Sequence, residues 1–159
     1  MDHLSRAARL LDLARAKRAI LATAESCTGG LIAGAITDIA GSSDVFERGF
    51  VTYSNAAKVD MLGVKPQTID QHGAVSEEVA GEMAEGALAR SDATLTVAVT
   101  GIAGPGGSDH KPEGRVCFGL AAKGLPIHLE TVDFGAIGRA EVRRKTVDHA
   151  LELLIAALS

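Results

Sequence analysis

The 159-residue sequence predicts an α/β layered domain built on a mixed sheet. Three observations predict it. Short apolar or β-branched runs alternate with segments of helical spacing, the pattern that lays helices on a sheet. Two late runs, Arg115–Ala122 and Ile127–Val132, are separated only by Gly124-Leu125-Pro126, close enough for a hairpin and so for antiparallel pairing. Polar, glycine-bearing stretches follow the strands, where open α/β sheets hold their ligands. The length suits one domain, residues 1–159, without repeats, low-complexity segments or an interdomain linker. With 47% hydrophobic and only 3% aromatic residues, the core must be Leu, Ile, Val and Ala.

The elements follow in order. Leu4, Ala7, Ala8, Leu11 and Ala14 recur at helical spacing, which predicts a helix from Asp2 to Arg15. The apolar run from Ala19 to Ala24 is short enough for a buried strand. Leu31, Ala35 and Ile39 form a stripe flanked by Ile32 and Ile36, so a helix runs on to Ala40 and Gly41-Ser42-Ser43 closes it. Phe46 to Ser54 holds the strand-forming run Phe50-Val51-Thr52-Tyr53. Asn55 reads as the cap of a short helix, Ala56 to Leu62. Residues 66–75 read as a connection with at most one helical turn. Ser76 before Glu77-Glu78 starts a helix whose stripe is Val79, Ala80, Met83 and Ala87. Thr94–Val99 alternates as a strand does, and a glycine-rich loop, Thr100–Gly107, follows and runs on in polar residues to Gly114. Arg139 to Leu158 is the last helix, with Val147, Leu151, Leu154 and Leu158 inward.

Composition excludes several functions. A net charge of −4 and scarce aromatics argue against nucleic-acid binding, which uses a basic face and stacking platforms. Cys27 and Cys117 cannot build a disulfide framework, and the scattered histidines have no zinc spacing, so no metal is expected. No Walker motif, dinucleotide fingerprint or Gly-x-Ser-x-Gly elbow occurs. Neither a signal peptide nor an apolar run of membrane-spanning length is visible, so a soluble cytoplasmic protein is expected.

Three stretches carry the candidate chemistry, and all follow strands. At the first, Glu25, Ser26, Cys27, Thr28, Gly29 and Gly30 form a strand-to-helix turn. A helix N-terminus there could hold an anion or a developing oxyanion, or Ser26 or Thr28 could simply cap the helix. Cys27 competes with Ser26 as nucleophile, because a helix N-terminus can lower a thiol pKa, but a small buried thiol is the commoner case. At the second, the spacing Tyr53-Ser54-x-x-x-Lys58 aims Lys58 back toward the strand end. A desolvated lysine can act as a base, whereas most lysines are solvated surface groups. At the third, Thr100 directs a hydroxyl toward the crevice, and Gly101 and Gly104 allow close backbone approach to a ligand. Arg139 and Arg143 share a face of the last helix and could bind a phosphate.

With these motifs assembled, the sequence resembles the CinA C-terminal domain family, the PncC-type nicotinamide-nucleotide amidases. Ala24-Glu25-Ser26-Cys27-Thr28-Gly29-Gly30, Gly41-Ser42-Ser43 and Val51-Thr52-Tyr53-Ser54-Asn55-Ala56-Ala57-Lys58 carry the resemblance. Leu62-Gly63-Val64, Gly73-Ala74-Val75-Ser76, Val99–Pro105 and Lys111-Pro112-x-Gly114 continue it in order across nearly the whole chain. The resemblance implies a three-layer α/β/α sandwich with a mixed, mostly parallel sheet, no metal or cofactor, and a homodimer in its stand-alone form. It implies deamidation of nicotinamide mononucleotide to the nicotinate nucleotide and ammonia, recycling pyridine nucleotides toward NAD. It carries active-site roles onto Ser26, Ser43, Tyr53, Lys58 and Thr100. The family often has Gly-Asp-Arg where this chain reads Ile137-Gly138-Arg139, so its arginine stays open between Arg139 and Arg143. The expected mechanism has Ser26 attack, Lys58 accept its proton, N–H groups around Thr28-Gly29-Gly30 hold the oxyanion, Thr100 and Tyr53 orient Lys58 or the nucleophile, and Ser43 and an arginine hold the ribose phosphate. The alternatives are a module that binds pyridine nucleotides without hydrolysis, or an interaction module of a competence or DNA-damage pathway.

Overall fold

A computed structural model describes residues 1–108 and 110–159. Five strands form one sheet in the order β2-β1-β3-β4-β5: β1 Leu21–Glu25, β2 Phe46–Val51, β3 Leu95–Gly101, β4 Arg115–Ala122 and β5 His128–Asp133. β1 pairs in parallel with β2 and β3, whereas β4 is antiparallel to both β3 and β5. Hence four of the five strands run in one direction, and their carboxyl ends open on the same edge.

Six helices complete the layers among the described residues: α1 His3–Lys17, α2 Leu31–Thr37, α3 Asn55–Leu62, α4 Pro66–His72, α5 Glu77–Ala89 and α6 Arg139–Leu158. The two-residue alternation of a strand divides the core between the two faces of the sheet. Leu21, Val97, Val99 and Phe118 pack with α1, α2 and α6 on one face. Ala24, Ala98 and Ala121 meet Leu62, Val79 and Met83 of α3 and α5 on the other. Small residues let α5 close in tightly: a Cβ at Gly86 would run into the Leu62 carbonyl of α3.

Several boundaries differ from the sequence reading for identifiable reasons. α2 stops at Thr37, and Gly41 instead opens a single 3-10 turn, Ser42–Asp44. Ser54, not Asn55, caps α3, accepting from Ala57 N at 3.0 Å. Residues 66–72 form a full helix rather than one turn, begun by Pro66 in its first position and ended at Gly73. α4 buries no residue completely, so it carries little apolar stripe to announce it. β1 runs through Glu25, which the sequence placed in the turn. No helix among the described residues is long and apolar enough to cross a membrane.

Candidate active site

The three suspect stretches meet at the carboxyl edge of the sheet. The ends of β1 and β3, the start of α3 and the first residue of α6 surround a cavity of about 420 Å3. Ser26, Tyr53, Asn55, Lys58, Thr100 and Arg139 line it, and residues 101–108 form one wall.

Ser26 is the first residue after β1, and its N–H donates to Val99 O at 3.1 Å. Lys58 reaches it from the first turn of α3. Its Nζ lies 2.9 Å from Ser26 Oγ, 3.0 Å from Thr52 O and 3.5 Å from Tyr53 O. Lys58 is only 1% exposed, and no carboxylate pairs with it among the described residues. Burial therefore lowers its pKa. Nζ donates to the Ser26 hydroxyl and to the Thr52 and Tyr53 carbonyls; once it loses a proton, its lone pair can face the Ser26 hydroxyl instead.

Cys27 lines the same cavity, but burial pushes its thiol up to about 12, with a smaller push from Glu25. Burial therefore favours the protonated thiol, and it is Ser26 Oγ that Lys58 Nζ bonds. The Thr100 hydroxyl donates to Ala74 O at 2.8 Å, so it ties the wall at residues 74–75 to β3. Arg139 donates to Gly104 O at 2.7 Å and to the Tyr53 hydroxyl at 3.0 Å, bridging the glycine-rich loop to the α3 side. Lys111 Nζ donates to His72 O and Val75 O, which fastens the far part of that loop to the end of α4.

Gly101 and Gly104 line the cavity, whereas Glu25, Thr28, Gly29, Gly30, Ser43 and Arg143 do not. The Glu25 carboxylate, 1% exposed, accepts from Thr28 Oγ1 at 2.5 Å and from Ile32 N and Ala33 N at 2.8 and 3.0 Å. It thus occupies the α2 N-terminus where an oxyanion was expected. Gly29 N donates to Ser26 O and Leu31 N to Thr28 O, so these N–H groups are also engaged within the turn. Arg143 donates from Nε to Cys27 O at 3.1 Å and from Nη2 to Thr28 O at 3.3 Å, behind the turn. Ser43 is exposed in the 3-10 turn before β2, at the opposite edge of the sheet from Ser26. Parallel pairing of β1 and β2 forces that separation, since the site lies where both strands end.

Sequence reasoning missed Asn55 as a cavity residue. It reads as a cap because Asn is a common cap residue, but once Ser54 takes that role its carboxamide is left at the cavity wall.

Comparison with known proteins agrees with this architecture. Residues 3–158 match the model of the CinA C-terminal domain. The chain is 54% identical over 142 residues to the Escherichia coli K12 nicotinamide-nucleotide amidohydrolase PncC, covering 88% of this chain and 85% of that protein. A CinA-like protein of Chlorobium phaeobacteroides is also 54% identical over 142 residues; the match covers 87% of this chain but 34% of that longer relative. The crystal structure of a competence/damage inducible protein from Agrobacterium tumefaciens superposes with a TM-score of 0.96 at 51% identity, covering 100% of this chain and 97% of that one. This chain belongs to the CinA C-terminal domain family.

Proposed function

We propose that this protein is an amidohydrolase that converts nicotinamide mononucleotide to nicotinate mononucleotide and ammonia. The observation that carries the reading is a buried lysine, without a carboxylate partner among the described residues, 2.9 Å from a serine hydroxyl inside a cavity. The name of the E. coli relative, a nicotinamide-nucleotide amidohydrolase, supports the substrate class.

Ser26 Oγ attacks the carboxamide carbon as its proton passes to Lys58 Nζ. The tetrahedral intermediate collapses, Lys58 returns the proton to the amide nitrogen, and ammonia leaves an ester on Ser26. Water then attacks that ester with Lys58 again as base, releasing the nicotinate nucleotide and restoring the hydroxyl. The oxyanion is best met by the Cys27 N–H. That group follows the nucleophile directly, belongs to a residue lining the cavity and bonds no backbone carbonyl among the described residues. Arg139 is the cationic side chain of the cavity besides Lys58 and serves the phosphate, with Tyr53 fixing it. Thr100 acts through the wall at Ala74. In this reading the enzyme works in the cytoplasm as a homodimer and returns pyridine nucleotides toward NAD.

Incubation of purified protein with nicotinamide mononucleotide should yield nicotinate mononucleotide and ammonia in equal amounts. Nucleotide recovered bound but intact would instead mark a binding protein.

A further inference from the structure

We propose that Glu25 and Arg143 work as one unit that positions the nucleophile, gripping the Ser26 turn from its two sides. The inference rests on the amidase reading above and adds two positioning residues to it. Neither side chain borders the cavity, so neither is placed to touch substrate.

Helix α2 lacks an ordinary cap. Its N-cap is Gly30, at φ 106°, with no side chain to accept the first-turn N–H groups. The acceptor comes instead from the strand: Glu25 bonds Ile32 N and Ala33 N with one carboxylate and takes the Thr28 hydroxyl as well. The residue immediately before the nucleophile is thereby locked to the helix that follows it. A cap residue needs only to stabilise its helix, but this carboxylate spans the whole turn from 25 to 33. Arg143 completes the arrangement from α6, donating to the carbonyls of residues 27 and 28. With Ser26 O engaged by Gly29 N, the carbonyls of residues 26, 27 and 28 are all fixed. The same carbonyl bonds set the orientation of the peptides that place Ser26 Oγ against Lys58. A nucleophile displaced by about 1 Å can lose on the order of 100-fold in rate.

The experiment compares Glu25→Gln, Thr28→Val, Arg143→Met and the Glu25→Gln/Arg143→Met double variant. Two rates are measured: turnover of nicotinamide mononucleotide, and phosphonylation of Ser26 by a fluorophosphonate, which needs no substrate. The clamp predicts that kcat and the phosphonylation rate fall together in each variant, by about 10- to 100-fold, with KM within about twofold of wild type. It also predicts that the double variant is little worse than its poorer parent, because the two residues secure one turn. Asp2→Ala, which removes the distant α1 cap that accepts from Ser5 N, should lower Tm and leave both rates unchanged. A rise in KM at constant kcat would make these residues substrate ligands and overturn the proposal. So would losses that add in the double variant, or losses matched by Asp2→Ala. If Glu25→Gln does not fold, Thr28→Val and Arg143→Met still decide the matter. Wild-type protein that is phosphonylated at Ser26 yet leaves the nucleotide intact would sink the substrate reading and not the clamp.

Discussion

At the residue scale the proposed chemistry turns on the protonation of Lys58. Its pKa is lowered by burial, so the amine is available as a base below the ordinary lysine value of 10.5. Turnover should therefore rise with pH through a midpoint below 10.5 and then level off, read from kcat/KM across a buffer series. A profile flat through that range would remove Lys58 as the base. The stability sign follows from the same shift. Between the lowered folded pKa and 10.5 the unfolded chain binds the extra proton, so this group's contribution to stability increases with pH over that window. Cys27 behaves oppositely: its thiol, pushed up to about 12, stays protonated throughout. Cys27→Ala should keep kcat within a few-fold of wild type, and iodoacetamide should leave the native enzyme active. Rapid inactivation with alkylation at Cys27 would contradict this assignment.

At the scale of elements, the fold depends on how closely helices approach one another. Gly86 of α5 passes directly beneath the Leu62 carbonyl of α3, with backbone rather than a flexible side chain as its neighbour. Gly86→Ala should destabilise the protein by about 1–3 kcal/mol in denaturant unfolding, as overpacking does. Because α3 carries Lys58, turnover should fall too; an unchanged unfolding midpoint would show that α3 has room to move. Strong periodicity made α5 and α6 legible in the sequence, since each buries a continuous stripe. α4 was not legible, because it buries nothing completely and its signal is only Pro66 and Gly73. The role of Glu25 was hidden for another reason. A carboxylate beside a candidate nucleophile looks like chemistry, and only the three-dimensional path from β1 to α2 shows its oxygens meeting backbone N–H groups.

At the scale of the whole molecule, strand direction places the candidate site. The β1, β2 and β3 parallel set collects three loops on one edge, which the sequence foretold because each suspect stretch follows a strand, and sends Ser43 to the other edge. The sequence could not separate Arg139 from Arg143, which lie one helical turn apart; only the packing of α6 sends one to the cavity and the other behind the turn. The far side of the molecule offers a pH test of how the layers are joined. Glu130 of β5 meets His149 of α6 at 2.6 Å and His128 at 3.0 Å. Burial would raise its pKa, yet hydrogen bonds from His149 and His128 bring it below the ordinary 4.5. Its stabilisation is therefore present above pH 4.5 and disappears as pH falls through the lowered value. Glu130→Gln should lower Tm near neutral pH, and the gap to wild type should close below pH 4.5. A gap that is constant with pH would assign the loss to packing.

The proposed catalytic pair is Ser26 and Lys58. The most direct measurement is the initial rate of ammonia release from nicotinamide mononucleotide by wild type, Ser26→Ala and Lys58→Met, all confirmed folded by circular dichroism. Wild type should release ammonia, and each variant should lose on the order of 10²- to 10⁴-fold, the range for removing a positioned base or its nucleophile. A Lys58→Met or Ser26→Ala protein that releases ammonia at the wild-type rate would contradict the account.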